Sequence, residues 1–137
     1  MVTRKGQDMR NITKIGMALA GLAALTASGL AAAHPSIVSA TPAANAPASN
    51  VTRITLRFDE RLTPRLSGAT LTMTGMPGMT DHPDMPMNDV SAALSSDRMA
   101  LVLTSPRPLP AGTYRVNWHV VGADTHRITG THNFAVR

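Results

Sequence analysis

The octapeptide Val51–Phe58, VTRITLRF, puts Ile54, Leu56 and Phe58 on one side of an extended backbone and Arg53, Thr55 and Arg57 on the other. A period of two is that of a β-strand with one dry and one wet face, and a helix does not produce it. The stretch Thr113–Val121, TYRVNWHVV, has the same pattern: Tyr114, Val116, Trp118 and Val120 alternate with Arg115, Asn117 and His119. It is expected to be a central strand of the core. Tyr114 follows a Leu-Pro-Ala-Gly corner, as the tyrosine of a tyrosine corner does.

Outward from these two segments, residues 36–40, 69–73, 89–94, 98–104 and 130–136 read as further strands, with 89–94 and 98–104 joined at Ser95-Ser96-Asp97. The run AANAPASN reads as a small-residue connection, Asp59 to Pro64 as a turn, PRPLPAG as a break, and residues 122–129 as a loop. No segment longer than a turn or two has a helical period. About seven short strands with turns every dozen residues predict an all-β chain, an antiparallel β-sandwich with immunoglobulin-like connections.

Residues 1–33 read as an address. Arg4, Lys5, Arg10 and Lys14 precede an apolar run from Ile15 to Leu30, and the small residues Ala31 and Ala33 suit a signal peptidase, so cleavage is expected after Ala33. The domain proper is then residues 34–137. Without the leader the formal charge falls from +5 to +2, since residues 34–137 hold nine Arg against seven Asp plus Glu. The nine arginines are scattered and mostly alternate with apolar residues, which argues against a nucleic-acid surface. Cysteine is absent, and this excludes disulfides and thiolate metal sites.

The densest chemistry lies in residues 73–87, MTGMPGMTDHPDMPM, with five methionines and one histidine. Met73, Met76 and Met79 repeat every three residues, but Gly75, Pro77, Gly78, Pro83 and Pro86 forbid a regular helix, so the segment is expected to be a loop. Thioethers beside an imidazole select copper(I) over zinc, calcium or magnesium. The competing reading is an adaptable methionine contact surface for a protein partner. A second constellation joins His34, at the expected new N-terminus, to Asp124 and His126. In extended backbone residues two apart share a face at about 6 to 7 Å, and an N-terminal histidine adds an amine to its imidazole. Three nitrogens and one carboxylate oxygen suit the tetragonal geometry of copper(II). Taken alone, Asp124 would cap a turn and His126 would be a solvated side chain. His132 shares the inward parity of Phe134 and Val136 and is read as a hydrogen-bonded histidine, not a ligand.

The start HPSIVSATPA, the segment FDERL, the loop MTGMPGM and the closing run PAGTYRVNWHVVGADTHRITGTHNFAV resemble the CopC family of periplasmic copper-binding and copper-resistance proteins. The resemblance implies a small Greek-key β-barrel or sandwich that carries or buffers copper in the periplasm. It implies a copper(II) site falling on His34, Asp124 and His126, and a copper(I) site falling on Met73, Met76, Met79, His82 and then Met85 or Met87. Glu60 matches a family acidic residue once considered near the divalent site. Cooperation with a CopD-type inner-membrane copper protein and with a periplasmic multicopper oxidase is also implied. The spacing departs from the family between Met79 and His82, where Thr80 and Asp81 intervene, and Met85 competes with Met87. No serine–histidine–aspartate set, phosphate loop or cysteine nucleophile is present, and a non-enzymatic carrier is expected. The rival is a copper-dependent oxidative enzyme resembling lytic polysaccharide monooxygenases, which needs aromatic platforms. The aromatic residues Phe58, Tyr114, Trp118 and Phe134 all have inward parity.

Overall fold

The computed structural model describes residues 34–137; the expected signal peptide lies outside the described residues. Nine strands run in chain order as β1 (Ile37–Thr41), β2 (Pro47–Ala48), β3 (Arg53–Phe58), β4 (Gly68–Gly75), β5 (Met85–Pro86), β6 (Ser91–Leu94), β7 (Ala100–Thr104), β8 (Gly112–Val121) and β9 (Arg127–Val136), with one turn of 3-10 helix at Pro64–Leu66. They form two sheets, β1-β3-β7-β6 and β2-β9-β8-β4-β5. No helix among the described residues is long and apolar enough to cross a membrane.

The period of two in β3 and β8 is what builds the core. Ile54, Leu56 and Phe58 of β3 are buried against Leu71, Tyr114, Val116, Val120 and Phe134 of the other sheet, while Arg53 and Arg57 stay exposed. Fully burying each such side chain contributes about 1.5 to 3 kcal/mol, against the entropy lost in ordering it. Tyr114 stacks on Phe134 at 5.3 Å and donates its hydroxyl to the Pro110 carbonyl at 2.6 Å, which closes the tyrosine corner. Burial pushes its phenol up to about 12. His132 is buried, 7% exposed, with Nε2 at 2.8 Å from the Pro42 carbonyl, the hydrogen-bonded role its parity implied.

Three segments differ from expectation. The AANAPASN connection contains β2, which pairs in parallel with the end of β9 (Pro47 with Ala135, Ala48 with Val136), so the sandwich is not wholly antiparallel. The methionine loop contains β5, paired antiparallel with β4 (Thr72 with Pro86, Met73 with Met85). The last strand begins at Arg127 instead of Gly130, because β8 offers partners as far as Val121. A two-residue strand has no period to display, and a partner decides it.

The turn between β6 and β7 is held by Asp97. Its Oδ1 accepts from the Ser95 hydroxyl at 2.5 Å and the Met99 amide at 3.0 Å, and its Oδ2 accepts from Arg57 Nη2 at 2.9 Å. The Ser95 hydroxyl first, then the Met99 amide and the Arg57 guanidinium, hold this carboxyl well below its ordinary 3.8. A folded value below the unfolded one adds stability that is present above about pH 4 and lost as pH falls further. The melting temperature of the wild type should therefore exceed that of Asp97→Asn at pH 7, and the gap should close as the pH is lowered below about 4. A gap independent of pH would place the stabilisation elsewhere.

Candidate functional site

His34 enters the fold just before β1. Ser36 fixes this entry: its amide donates to Asp59 Oδ1 at 2.9 Å, and the Asp59 amide donates back to the Ser36 carbonyl at 3.0 Å. Pro35 is buried against Gly122, where an added Cβ would stand 3.0 Å from Pro35 Cγ and overlap Glu60 Oε1. Only glycine leaves room there for both neighbours.

Past Gly122 the chain does not run extended through Asp124 and His126, as the spacing argument assumed. Thr125 has φ 67°, in the left-handed region, and its amide donates to the Gly122 carbonyl at 3.2 Å. A β-branched residue in that region costs on the order of 1 to 3 kcal/mol and persists where its surroundings enforce it. Here the strained turn folds His126 back, so that Asp124 Oδ1 accepts the His126 amide at 3.2 Å while Oδ2 is left to face the imidazoles. The turn-capping role of Asp124 and its role toward the histidines coexist, one on each oxygen.

His34 Nδ1 and His126 Nδ1 each stand 3.2 Å from Asp124 Oδ2, with the two rings at 5.8 Å and 65°. One ligand atom from each residue lies within 4.8 Å of the other two. Donors on a single ion with bonds of about 2 Å stand roughly 3 to 4 Å apart, so small side-chain rotations suffice to close the set. Partial burial works against ionising Asp124, but the His126 amide and ring, with the charge of both imidazoles, hold its carboxyl below the ordinary value. The oxygen is thus already an anionic donor. Glu60, whose Oε1 is buried without a hydrogen-bond partner among the described residues, adjoins this site through Gly122 and Pro35. The family resemblance and its place just past the end of β3 were the sequence signals for it.

The methionines divide by strand position. Met73, at the end of β4, is buried in the core at 3% exposure, whereas Met76, Met79 and Met85 are exposed, Met79 to 52%. Met87 is half-buried against the core and its amide donates to the Leu71 carbonyl at 2.9 Å. Met85 is the cross-strand partner of Met73, and such partners hold their Cβ atoms about 4.5 to 5.5 Å apart. Arg115 Nη1 to Asp84 Oδ2, at 3.2 Å, ties the returning arm of the loop to β8. Inside the loop both ring nitrogens of His82 are shielded from solvent with no hydrogen-bond partner among the described residues. A buried imidazole left in that state is unfavourable unless something else takes a lone pair. Met73 lies opposite Tyr114 in β8 and the Asp124 turn follows Val121 at its far end, so the two constellations are about 25 Å apart.

The family model described as the CopC domain matches residues 37–137. A copper resistance protein C from Xanthomonas campestris pv. juglandis is 47% identical over 118 residues, covering 85% of this chain and 90% of that protein. The Escherichia coli copper resistance protein C is 46% identical over 107 residues, covering 78% and 84%. The crystal structure of PcoC, described as a methionine-rich copper resistance protein from Escherichia coli, superposes with a TM-score of 0.69 at 44% identity over 77% of this chain and all of that one. With a matched domain that spans both sheets and relatives 46–47% identical over the aligned residues, the chain belongs to the CopC family.

Proposed function

We propose that this protein binds copper in the periplasm and carries or buffers it for resistance or homeostasis. Copper(II) is taken by His34, Asp124 and His126 once the signal peptide is removed. Copper(I) is taken by Met76, Met79, His82 and Met85, with Met73 beneath Met85 as a further thioether; Met87 serves mainly to pack the core. The observation that carries this reading is the convergence of two imidazoles on one anionic oxygen, each at 3.2 Å, a donor set suited to a divalent borderline ion. The names of relatives 46–47% identical point the same way. Copper is the cargo and no organic substrate is transformed. None of the four aromatic side chains is exposed, which disfavours a polysaccharide-oxidising surface. Exchange with a CopD-type membrane protein and a multicopper oxidase belongs to the same proposal and is supported by the family resemblance alone.

Sites about 25 Å apart with no shared ligand should titrate independently. Changing Met73, Met76, Met79, Met85 and Met87 to leucine should abolish competition with a chromophoric copper(I) chelator and leave the copper(II) absorption unchanged. Asp124→Asn combined with His126→Ala should do the reverse. Loss of both ions in either variant would mean that one site has been divided into two.

A further inference from the structure

The outer face of the five-stranded sheet carries a groove of about 350 Å³, and neither constellation uses it. It is lined by Thr70, Asn117, His119, Arg127, Thr129 and Thr131, with Trp118 and Gly130 completing the lining. The register explains the grouping. Asn117 is the cross-strand partner of both Thr70 and Thr131, and His119 is the partner of both Gly68 and Thr129. Two rows of side chains thus stand about 7 Å apart on one face, with Arg127 two residues before Thr129. Gly68 is what lets the imidazole lie down beside β4, since a Cβ there would be 3.1 Å from His119 Cε1.

Every polar side chain in the groove can donate a hydrogen bond, one is a permanent cation, and no carboxylate lines it. Among the described residues neither Arg127 nor His119 has an ion-pair partner, in contrast to Arg57, Arg107 and Arg115, which each pair with an aspartate. Burial first, and then the Arg127 charge, lowers the affinity of His119 for a proton, so the two groups repel when both are charged. A guanidinium fork flanked by hydroxyls and an imidazole is the donor arrangement that a carboxylate or phosphate accepts from in bidentate fashion. Three threonines and an asparagine around it supply neutral donors that a simple charge patch would lack.

We propose that this groove is a binding site for a small oxyanion, a polycarboxylate or a phosphate. The volume admits a molecule the size of citrate with some of its water, and the anion would sit between Arg127 and His119 with the threonine hydroxyls at its edges. Its lining includes none of His34, Asp124 and His126, and it needs no metal.

The test is calorimetric titration of the copper-free protein at pH 7 and low salt with citrate and, separately, with inorganic phosphate. The shift of the His119 ring signals is followed by NMR. Saturable binding of either anion that moves those signals is expected; citrate alone identifies a carboxylate site and phosphate alone a phosphate site. Arg127→Gln and His119→Ala should each weaken binding by about tenfold or more, while Arg53→Gln, on the other sheet, should not. Unchanged melting temperatures for the variants show that the fold persists. Absence of saturation by both anions at millimolar concentration, or equal affinities for wild type and Arg127→Gln, would overturn the proposal.

Discussion

One additional alanine before His34 should lower the copper(II) affinity of the processed domain at least about 100-fold. Removing a partner that merely orients a ligand costs 10- to 100-fold, and here a ligand itself is lost. In the unprocessed chain the nitrogen of His34 is an amide bonded to Ala33, a donor with no basic lone pair, and only its imidazole can bind. Cleavage converts that nitrogen into an amine with a reference pKa of about 7.7 to 8.0, next to an imidazole already 3.2 Å from Asp124 Oδ2. Under the proposed function, export would switch the site on, and the precursor would not capture copper(II) through this chelate. The measurement is a competition titration of the domain beginning at His34 against the same domain with one preceding alanine, with the visible spectrum recorded for both. Equal affinity and an unchanged spectrum would reduce His34 to an ordinary imidazole ligand.

Replacing His82 with leucine should have two effects of opposite sign. Both ring nitrogens are withdrawn from solvent without a partner, and leaving a buried polar group unsatisfied costs about 1 to 3 kcal/mol. Leucine removes that penalty, so the metal-free variant should melt several degrees higher, at about 4 to 8 °C per kcal/mol for a domain of this size. Copper(I) affinity should fall by about tenfold or more, because the imidazole is the one nitrogen donor in the methionine loop. Scanning calorimetry of the metal-free forms and a copper(I) competition titration read the two effects separately. A variant that melts lower and binds copper(I) as before would make His82 a packing residue and leave the thioethers as the whole site.

How much of this was legible in the chain depends on whether a feature repeats. The alternation in Val51–Phe58 and Thr113–Val121 specified strands, their buried faces and hence a two-sheet core, because one-face burial acts on every second residue and is written along the segment itself. The inward parity of His132 and the corner before Tyr114 were readable for the same reason, and the structure supplied their partners, Pro42 and Pro110. His34, Asp124 and His126 could be named as chemistry.

Their meeting was another matter. The extended pairing inferred for Asp124 and His126 is replaced by a left-handed turn at Thr125, and it is the clasp between Ser36 and Asp59 that brings His34 to them from the other end of the described domain. The placement of Glu60 against Gly122 likewise depends on a missing Cβ more than sixty residues away. Among the methionines, composition marked a soft-donor loop, whereas the pairing of Met85 with Met73 and the packing of Met87 follow from a strand only two residues long. Local periodicity reports the environment that a residue needs. Which distant group provides that environment is decided by contacts across the sandwich, and these leave no period in the sequence.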